Sequence, residues 1–392
     1  MKTSATDRCA IAFCAATALL AGCGETRATT NVSGELPQAP AAAAARAIAN
    51  ATLPAPSFKV LHRFTHSDGA YPDGNLVNVN DVLYGTTWAG GLGCSGGCGT
   101  VYSITAAGTT NVLHSFRGSP DGVAPSGGLI NVNGTFYGTT QGGGSSNKGT
   151  VYSIRLSDKE KVLYSFTGGA DGATPTAGLV NVNGTLYGTT SGGGSSDKGT
   201  VYSISTTGAE KVLHTFTGGS DGFDPEAGLI YVKGVLYGTT RSGGAFTCYS
   251  SGDSCGTVYS ISTAGAEKVL HSFNGPDGYG PLASLTNLNG TLFGTTSSGG
   301  DGWSAKRGWT GCGTVFSMTT TGVEKVLHSF HAGSGCFPTV ALVDVEGTLY
   351  GTTDMGSGYG VAYSVKTGGA FEVLHRFTLK SNGVYPKTPW SR

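Results

Sequence analysis

Short apolar stretches separated by glycine-rich turns recur along most of the chain. One unit shows the pattern well, and its β-type runs are residues 179–182, 185–190, 199–204 and 211–216. The first two runs flank Asn183-Gly184, the dipeptide best suited to a two-residue type I′ hairpin turn. Four short antiparallel strands in about 50 residues, with no helical period, predict one blade of a β-propeller.

This unit is repeated. Tyr-Gly-Thr-Thr begins at positions 84, 137, 187, 237 and 350, and Phe293-Gly-Thr-Thr is a sixth copy. Residues 128–154 and 178–204 differ at only four of 27 positions. A fixed period of this size indicates an array, a solenoid or a propeller. A β-helix is the main alternative, but its coils lack the hairpin turns that recur here, so we expect an all-β propeller of about six four-stranded blades.

The blade count depends on the fourth strand, whose motif Val-Leu-His/Tyr-x-Phe occurs seven times. The copies begin at residues 60, 112, 162, 212, 269, 326 and 373. Either the first copy completes the last blade from the N-terminus, or the last copy completes blade six and the first lies outside it. A seventh, incomplete blade is the remaining alternative.

The N-terminus has the features of an export signal. Lys2 and Arg8 precede an apolar stretch over residues 9–20, which is too short to span a bilayer as a helix. It ends in Leu-Ala-Gly-Cys at Cys23, which resembles the lipobox of bacterial lipoproteins. The resemblance implies a signal peptide over residues 1–22 and a lipid on Cys23. Gly24 follows that cysteine, which favours the outer membrane or cell surface.

The chain after the signal peptide divides into three segments. Residues 23–57 are rich in Ala and Pro and form no apolar pattern, so we interpret them as a tether. The repeats occupy residues 58–380, and residues 381–392 are expected to form a C-terminal tail.

Cysteine use agrees with export, since six cysteines remain after Cys23 and disulfides persist in oxidising compartments. No pair has the short C-x2-C spacing of a zinc site. Proximity in sequence predicts the disulfides Cys94–Cys98, Cys248–Cys255 and Cys312–Cys336.

Composition and charge exclude some functions. Lys+Arg and Asp+Glu number 24 each, so no net positive charge favours nucleic acid. The fourth strands carry recurrent histidines, but the third copy has Tyr164 in that slot, so packing between blades is the expected role. Asp-Gly recurs in the loops before blades 1 to 5, as at Asp171, but the loop before blade 6 lacks the Asp, and the dipeptide suits a turn better than a calcium site. We therefore predict no catalytic, cofactor or metal site.

The exceptions to the repeat lie in the loops between the second and third strands. These loops have 11, 8, 8, 15, 16 and 6 residues in the six units. The long ones hold five of the six cysteines after Cys23 and the aromatic residues Trp88, Phe246, Tyr249, Trp303 and Trp309. In an antiparallel blade the loop between the second and third strands leaves the same edge as the loop to the next blade. One rim would therefore carry aromatic loops that are held by disulfides. Such rings suit a sugar or a protein ligand, or they cap the blades.

The repeated pattern G-x-LYGTT-x2-GG…GTVYSI…KVLHSF-x-G-x-DG-x2-P resembles the GloVer tandem repeat, and the order of its elements is kelch-like. The resemblance covers roughly residues 58–377 and implies an exported protein, but no activity. We therefore expect a lipid-anchored binding or structural scaffold. The alternative is an envelope enzyme acting on polysaccharide or peptide, because propellers host such activities.

Overall fold

The computed structural model describes residues 60–157, 160–248, 254–302, 311–356 and 359–377. Six antiparallel four-stranded sheets follow one another along the chain, arranged as the blades of a β-propeller. Their strands are Ala70–Val79, Val82–Ala89, Thr100–Thr105 and Thr110–Ser115 in blade 1; Ile130–Val132, Thr135–Thr140, Thr150–Arg155 and Lys161–Ser165 in blade 2; Val180–Val182, Thr185–Thr190, Thr200–Ser205 and Glu210–Thr215 in blade 3; Ile230–Val232, Val235–Thr240, Thr257–Ser262 and Glu267–Ser272 in blade 4; Thr286–Leu288, Thr291–Thr296, Thr314–Thr319 and Glu324–Ser329 in blade 5; Val343–Val345, Thr348–Thr353, Val361–Lys366 and Phe371–Arg376 in blade 6; and the short pair Gly122–Val123 and Gly142–Gly143.

Each sheet is a meander in which strands pair in chain order. The first strands of successive blades approach one another from blade 2 to blade 6, so they surround the axis of the propeller. Among the described residues, no helix is long and apolar enough to cross a membrane.

The hairpin turns have the geometry that Asn-Gly predicts. Asn183 and Gly184 have φ angles of 52° and 86°, as a type I′ turn requires. The Asn181 side chain accepts a hydrogen bond from the Gly184 N–H at 3.0 Å, which fixes the turn further. Lys233 and Glu346 take the first turn position in blades 4 and 6 with φ of 49° and 51°. The turn therefore tolerates other residues once the strands on either side pair.

The repeated Gly-Thr-Thr has a packing reason. A Cβ on Gly188 would lie 2.6 Å from the hydroxyl oxygen of Tyr202, which belongs to the neighbouring strand. Only glycine leaves room for that ring. The buried hydroxyls of Thr190 and Thr200 lie 2.9 Å apart and tie the second strand to the third.

The hydrophobic core lies between adjacent blades. Phe216 from blade 3 is fully buried and packs edge-on against Tyr259 of blade 4, with ring centroids 5.3 Å apart. Val201 and Leu236 complete the same cluster. Equivalent clusters join blades 1 and 2, 2 and 3, 4 and 5, and 5 and 6.

The structure shows which copy of the fourth-strand motif belongs to blade 6. The C-terminal Val-Leu-His copy forms Phe371–Arg376, the fourth strand of blade 6. Val60 to Phe64 forms no sheet strand and lies on blade 1, where the rings of Phe64 and Tyr102 are 5.0 Å apart. The C-terminal copy therefore completes blade 6, and the N-terminal copy lies outside it.

Candidate functional site

The loops between blades and the loops between second and third strands lie together on one edge, which we call the loop rim. Backbone bridges join them directly: Ala173 pairs with Gly192, and Phe223 pairs with Ser242. The same bridge recurs in blades 2, 5 and 6. The shared edge predicted from strand direction is therefore present.

The backbone of the loop rim holds one position of blades 2 to 6 in place. Asp224 has a φ of 59°, and its carbonyl accepts a hydrogen bond from the Arg241 N–H at 3.0 Å. Thr174, with a φ of 56°, does the same for Ser191 at 3.1 Å. Blades 2, 5 and 6 repeat the arrangement. In blades 2 to 6 the residue after the Thr-Thr pair is thereby fixed beside the loop that leads to the innermost strand.

That residue is different in most blades, although the residues before it barely vary. In chain order it is Trp88, Gln141, Ser191, Arg241, Ser297 and Asp354. Sequence reasoning singled out only Trp88. The signal that would have found the others is this variable position directly after an invariant Gly-Thr-Thr. We call these six residues the channel-mouth set.

On blades 1 and 2 the channel-mouth set forms an aromatic and amide pair. The indole N–H of Trp88 donates to the Gln141 Oε1 at 3.4 Å, across the blade boundary. Tyr71 packs edge-on against Trp88 at 6.3 Å and is 62% exposed. An exposed ring thus lies beside an indole whose orientation is fixed.

On blade 4 the channel-mouth set forms a charged cluster. Arg241 Nη1 lies 3.0 Å from Glu226 Oε1 and 3.7 Å from Asp224 Oδ2. The side chain of Glu226 is only 7% exposed, while Arg241 is half exposed. Burial, and then the charge of Asp224, raise the pKa of Glu226 to about 7, although Arg241 opposes them. The cluster offers a half-exposed guanidinium and a carboxyl whose pKa is raised towards neutrality.

Blades 1 and 6 also contribute carboxyl groups to the loop rim. Burial raises the pKa of Asp73 to about 7, and its Oδ1 accepts the Gly74 N–H at 2.8 Å. Asp354 is buried and accepts a hydrogen bond from the Thr339 hydroxyl at 3.1 Å. The rim therefore carries acidic groups on three different blades.

The loop rim also exposes apolar surface. Phe246, one of the predicted aromatic residues, is 48% exposed, and Tyr71, Leu92 and Met355 are exposed on the same edge. Tyr249, Trp303 and Trp309 lie outside the described residues, so their role stays a prediction. Leu156 and Val323 are exposed on the opposite edge, in the turns between third and fourth strands.

Three disulfides lie on the loop rim, and they join the pairs that sequence proximity predicts. Cys94–Cys98 and Cys248–Cys255 each close a loop within one blade. Cys312–Cys336 joins the long loop of blade 5 to the loop that enters blade 6.

A second recurrent arrangement lies between blades, and the sequence did not indicate that its members lie together. His114 Nε2 lies 3.1 Å from Asp121 Oδ2, and Glu160 of the next blade completes a group whose ligand atoms are within 4.8 Å. His271, Asp277 and Glu324 repeat the group. We call these positions the outer triads; the other two are Tyr164, Asp171 and Glu210, and His214, Asp221 and Glu267.

The outer triads join strand to loop and blade to blade. In the second triad Tyr164 replaces the histidine, and its hydroxyl donates to Asp171 at 3.0 Å. The hydrogen bond is therefore retained although the metal-ligating histidine is not. Each histidine also packs edge-on against the phenylalanine two residues later, as His214 does on Phe216 at 4.8 Å. Burial, with a contribution from the neighbouring aspartate, raises the pKa of Glu160, Glu210, Glu267 and Glu324 to about 7. These features indicate a structural role.

Comparison with known proteins identifies the repeat. A family model described as the Gloeobacter/Verrucomicrobia repeat matches residues 46–251 and 247–391. No curated protein sequence matches the chain.

Solved propellers are similar at low identity. TolB from Acinetobacter baumannii is 14% identical with a TM-score of 0.42, and the match covers 70% of this chain and 58% of TolB. PorZ of Porphyromonas gingivalis is 14% identical with a TM-score of 0.48, covering 78% and 41%. A gluconolactonase from Xanthomonas campestris is 13% identical with a TM-score of 0.42, covering 74% and 85%. At these values the similarities carry no argument about activity.

Proposed function

The chain belongs to the Gloeobacter/Verrucomicrobia repeat family, and from that premise we propose that it is an exported, lipid-anchored protein that binds a glycan at the loop rim. The observation that carries the proposal is the channel-mouth set. A near-invariant backbone presents a different side chain from almost every blade at one equivalent position. Ligand sites commonly combine such convergent polar groups with aromatic surface in a concave place.

The chemistry of the rim favours a carbohydrate. Trp88 and Tyr71 provide flat apolar faces, and Gln141 provides an amide beside them. Arg241 and Glu226 add a guanidinium that can donate to hydroxyls and a carboxyl that can accept from them. Rigid rings contribute contact area at low entropic cost, and the disulfides restrain the loops that carry the other aromatic residues.

A second candidate is an enzyme that acts on polysaccharide, and the raised pKa of the Glu226 carboxyl favours it. A largely buried carboxyl with a pKa near 7 suits general-acid chemistry. Release of new reducing ends from a bound glycan separates the two functions. Turnover that is lost in Glu226→Gln, with binding retained, would establish the enzyme.

Export and anchoring are part of the proposal. Three disulfides support an oxidising, extracytoplasmic compartment. The lipobox-like tetrapeptide ending at Cys23 supports a lipid anchor at the outer membrane or cell surface. Cys23 lies outside the described residues.

We expect Cys23→Ser to prevent acylation, because the thioether cannot form on a hydroxyl, and to release the protein from membranes. Labelled palmitate incorporation and membrane fractionation measure both effects. Cys14→Ser, within the same apolar stretch, is the matched control and should leave labelling unchanged. Equal labelling of wild type and Cys23→Ser would contradict the anchor.

The ligand class is tested on a glycan array with the Cys23→Ser chain, which lacks the lipid but keeps every residue of the rim. We expect saturable binding to a restricted set of glycans. Binding to none, in protein whose three disulfides are intact, would leave the structural scaffold as the better account.

A further inference from the structure

The first outer triad brings three groups that can each bind a metal ion into one place. His114 lies in the fourth strand of blade 1, Asp121 follows in the loop to blade 2, and Glu160 directly precedes the fourth strand of blade 2. One ligand atom from each residue lies within 4.8 Å of the other two, and His114 Nε2 is 3.1 Å from Asp121 Oδ2. The three groups therefore converge across a boundary between blades.

The oxygen atoms at this boundary are short of hydrogen-bond partners. Asp121 Oδ1 and Glu160 Oε1 are closed to solvent, and neither accepts a hydrogen bond from a described residue. The Tyr152 hydroxyl is fully buried and also has no hydrogen-bond partner in the described part of the chain. Burial raises the pKa of Tyr152, and the charges of Glu160 and Asp121 raise it further, so this hydroxyl lies close enough to interact with both carboxyls. Buried oxygens without a donor are costly, and a bound cation would offset that cost.

The same three residue types converge at the fourth outer triad, between blades 4 and 5. His271 Nε2 lies 2.9 Å from Asp277 Oδ2, and Glu324 places a ligand atom within 4.8 Å of both residues. Glu324 Oε1 is likewise closed to solvent and accepts no hydrogen bond from a residue that the structure describes. Two boundaries between blades thus carry the same set of ligand groups.

The other two outer triads do not present this set of ligands. Tyr164 replaces the histidine in the second triad, and its hydroxyl donates to Asp171. In the third triad His214 Nε2 is 3.6 Å from Asp221 Oδ2, and among the described residues its three ligand atoms do not all lie within 4.8 Å of one another. These two triads therefore serve as comparisons within the same chain.

One imidazole nitrogen and two carboxylate oxygens are ligands that suit zinc. Zinc binds such atoms at about 2 Å, so two of them lie about 3 Å apart around one ion, as His114 and Asp121 do. We propose that the first and fourth outer triads each bind a zinc ion, which joins blade 1 to blade 2 and blade 4 to blade 5. The sequence predicted no metal site because Tyr164 interrupts the series of histidines and Glu160 comes from the next blade. The inference is independent of the proposed ligand at the loop rim.

The zinc content of the Cys23→Ser chain tests the proposal directly. The chain is treated with a chelator and dialysed against micromolar zinc at pH 8, because carboxyl ligands must be ionised to bind the metal. Bound zinc is then measured by elemental analysis. Relative to the Cys23→Ser chain, Glu160→Gln and Glu324→Gln should each lower the content by about one ion per chain, and the double variant by about two, because an amide is a poor substitute for a carboxylate ligand.

Glu210→Gln, in the triad that contains Tyr164, is the matched control and should leave the zinc content unchanged. Zinc should also raise the melting temperature of the Cys23→Ser chain, because a ligand that binds only the folded state stabilises it, and this rise should disappear in the double variant. Near-ultraviolet circular dichroism shows whether each variant is folded. The proposal would be overturned by a folded Cys23→Ser chain that binds no zinc, by a double variant that binds as much zinc as that chain, or by an equal loss in Glu210→Gln.

Discussion

Phe216→Ala is expected to lower the free energy of unfolding by about 3–5 kcal/mol, the usual cost of truncating a buried aromatic residue. The ring is fully buried between blades 3 and 4, edge-on to Tyr259. Its removal leaves a cavity whose walls are strands of two sheets, which restricts collapse around it. Urea unfolding followed by near-ultraviolet circular dichroism measures the change.

Phe64→Ala is the matched control, because Phe64 makes the same edge-on contact but is partly exposed. We expect it to cost less than half as much. Equal losses for the two variants would mean that the interfaces between blades do not dominate the stability of the ring.

The outer triads predict a large pH dependence of stability. The pKa of Glu160, Glu210, Glu267 and Glu324 rises from 4.5 to about 7 on folding, chiefly through burial. Between these pH values the folded chain binds more protons than the unfolded chain. The stability linked to these groups is therefore complete below about pH 4.5 and is lost as the pH rises through 7.

Replacing all four glutamates with glutamine should remove this loss, because the amide stays neutral. Since these side chains are partly exposed, solvent screening reduces the expected gain to about 1 kcal/mol each, or about 4 kcal/mol together at pH 8. Unfolding midpoints from pH 5 to 8 measure it, with Glu346→Gln in an exposed turn as the control. A quadruple variant whose stability falls with pH as steeply as wild type would show that the carboxyls do not set this dependence.

The fold was largely predictable because each blade repeats signals that act over short distances. Asn183-Gly184 specified its hairpin, and the short β-type runs on either side of that turn specified the two strands that pair. The disulfides were predictable for the same reason, since Cys94 and Cys98 are held close by the chain itself. The role of Val60 to Phe64 was not predictable, because the same motif fits either end of the array and only packing on Tyr102 decides.

The candidate site was less predictable, because its residues meet through tertiary structure. Aromatic loops drew attention to Trp88. The shared position after Gly-Thr-Thr marks both Trp88 and Gln141, but it does not show that these residues, 53 apart in the chain, are in contact. Likewise Glu160 joins His114 only because neighbouring blades stack. The raised pKa of Glu226 depends on burial, which residue type alone does not reveal.

The most direct test of the binding site is the affinity of the Cys23→Ser chain for its best array glycan, measured by titration before and after single substitutions. We expect Trp88→Ala and Arg241→Ala each to weaken binding about tenfold or more, equivalent to about 1.4 kcal/mol, with melting temperatures showing that the ring is still folded. Val323→Ala, on the opposite edge, should leave the affinity unchanged. Unchanged affinity in both rim variants, or a loss in Val323→Ala alone, would place the ligand elsewhere and contradict the account.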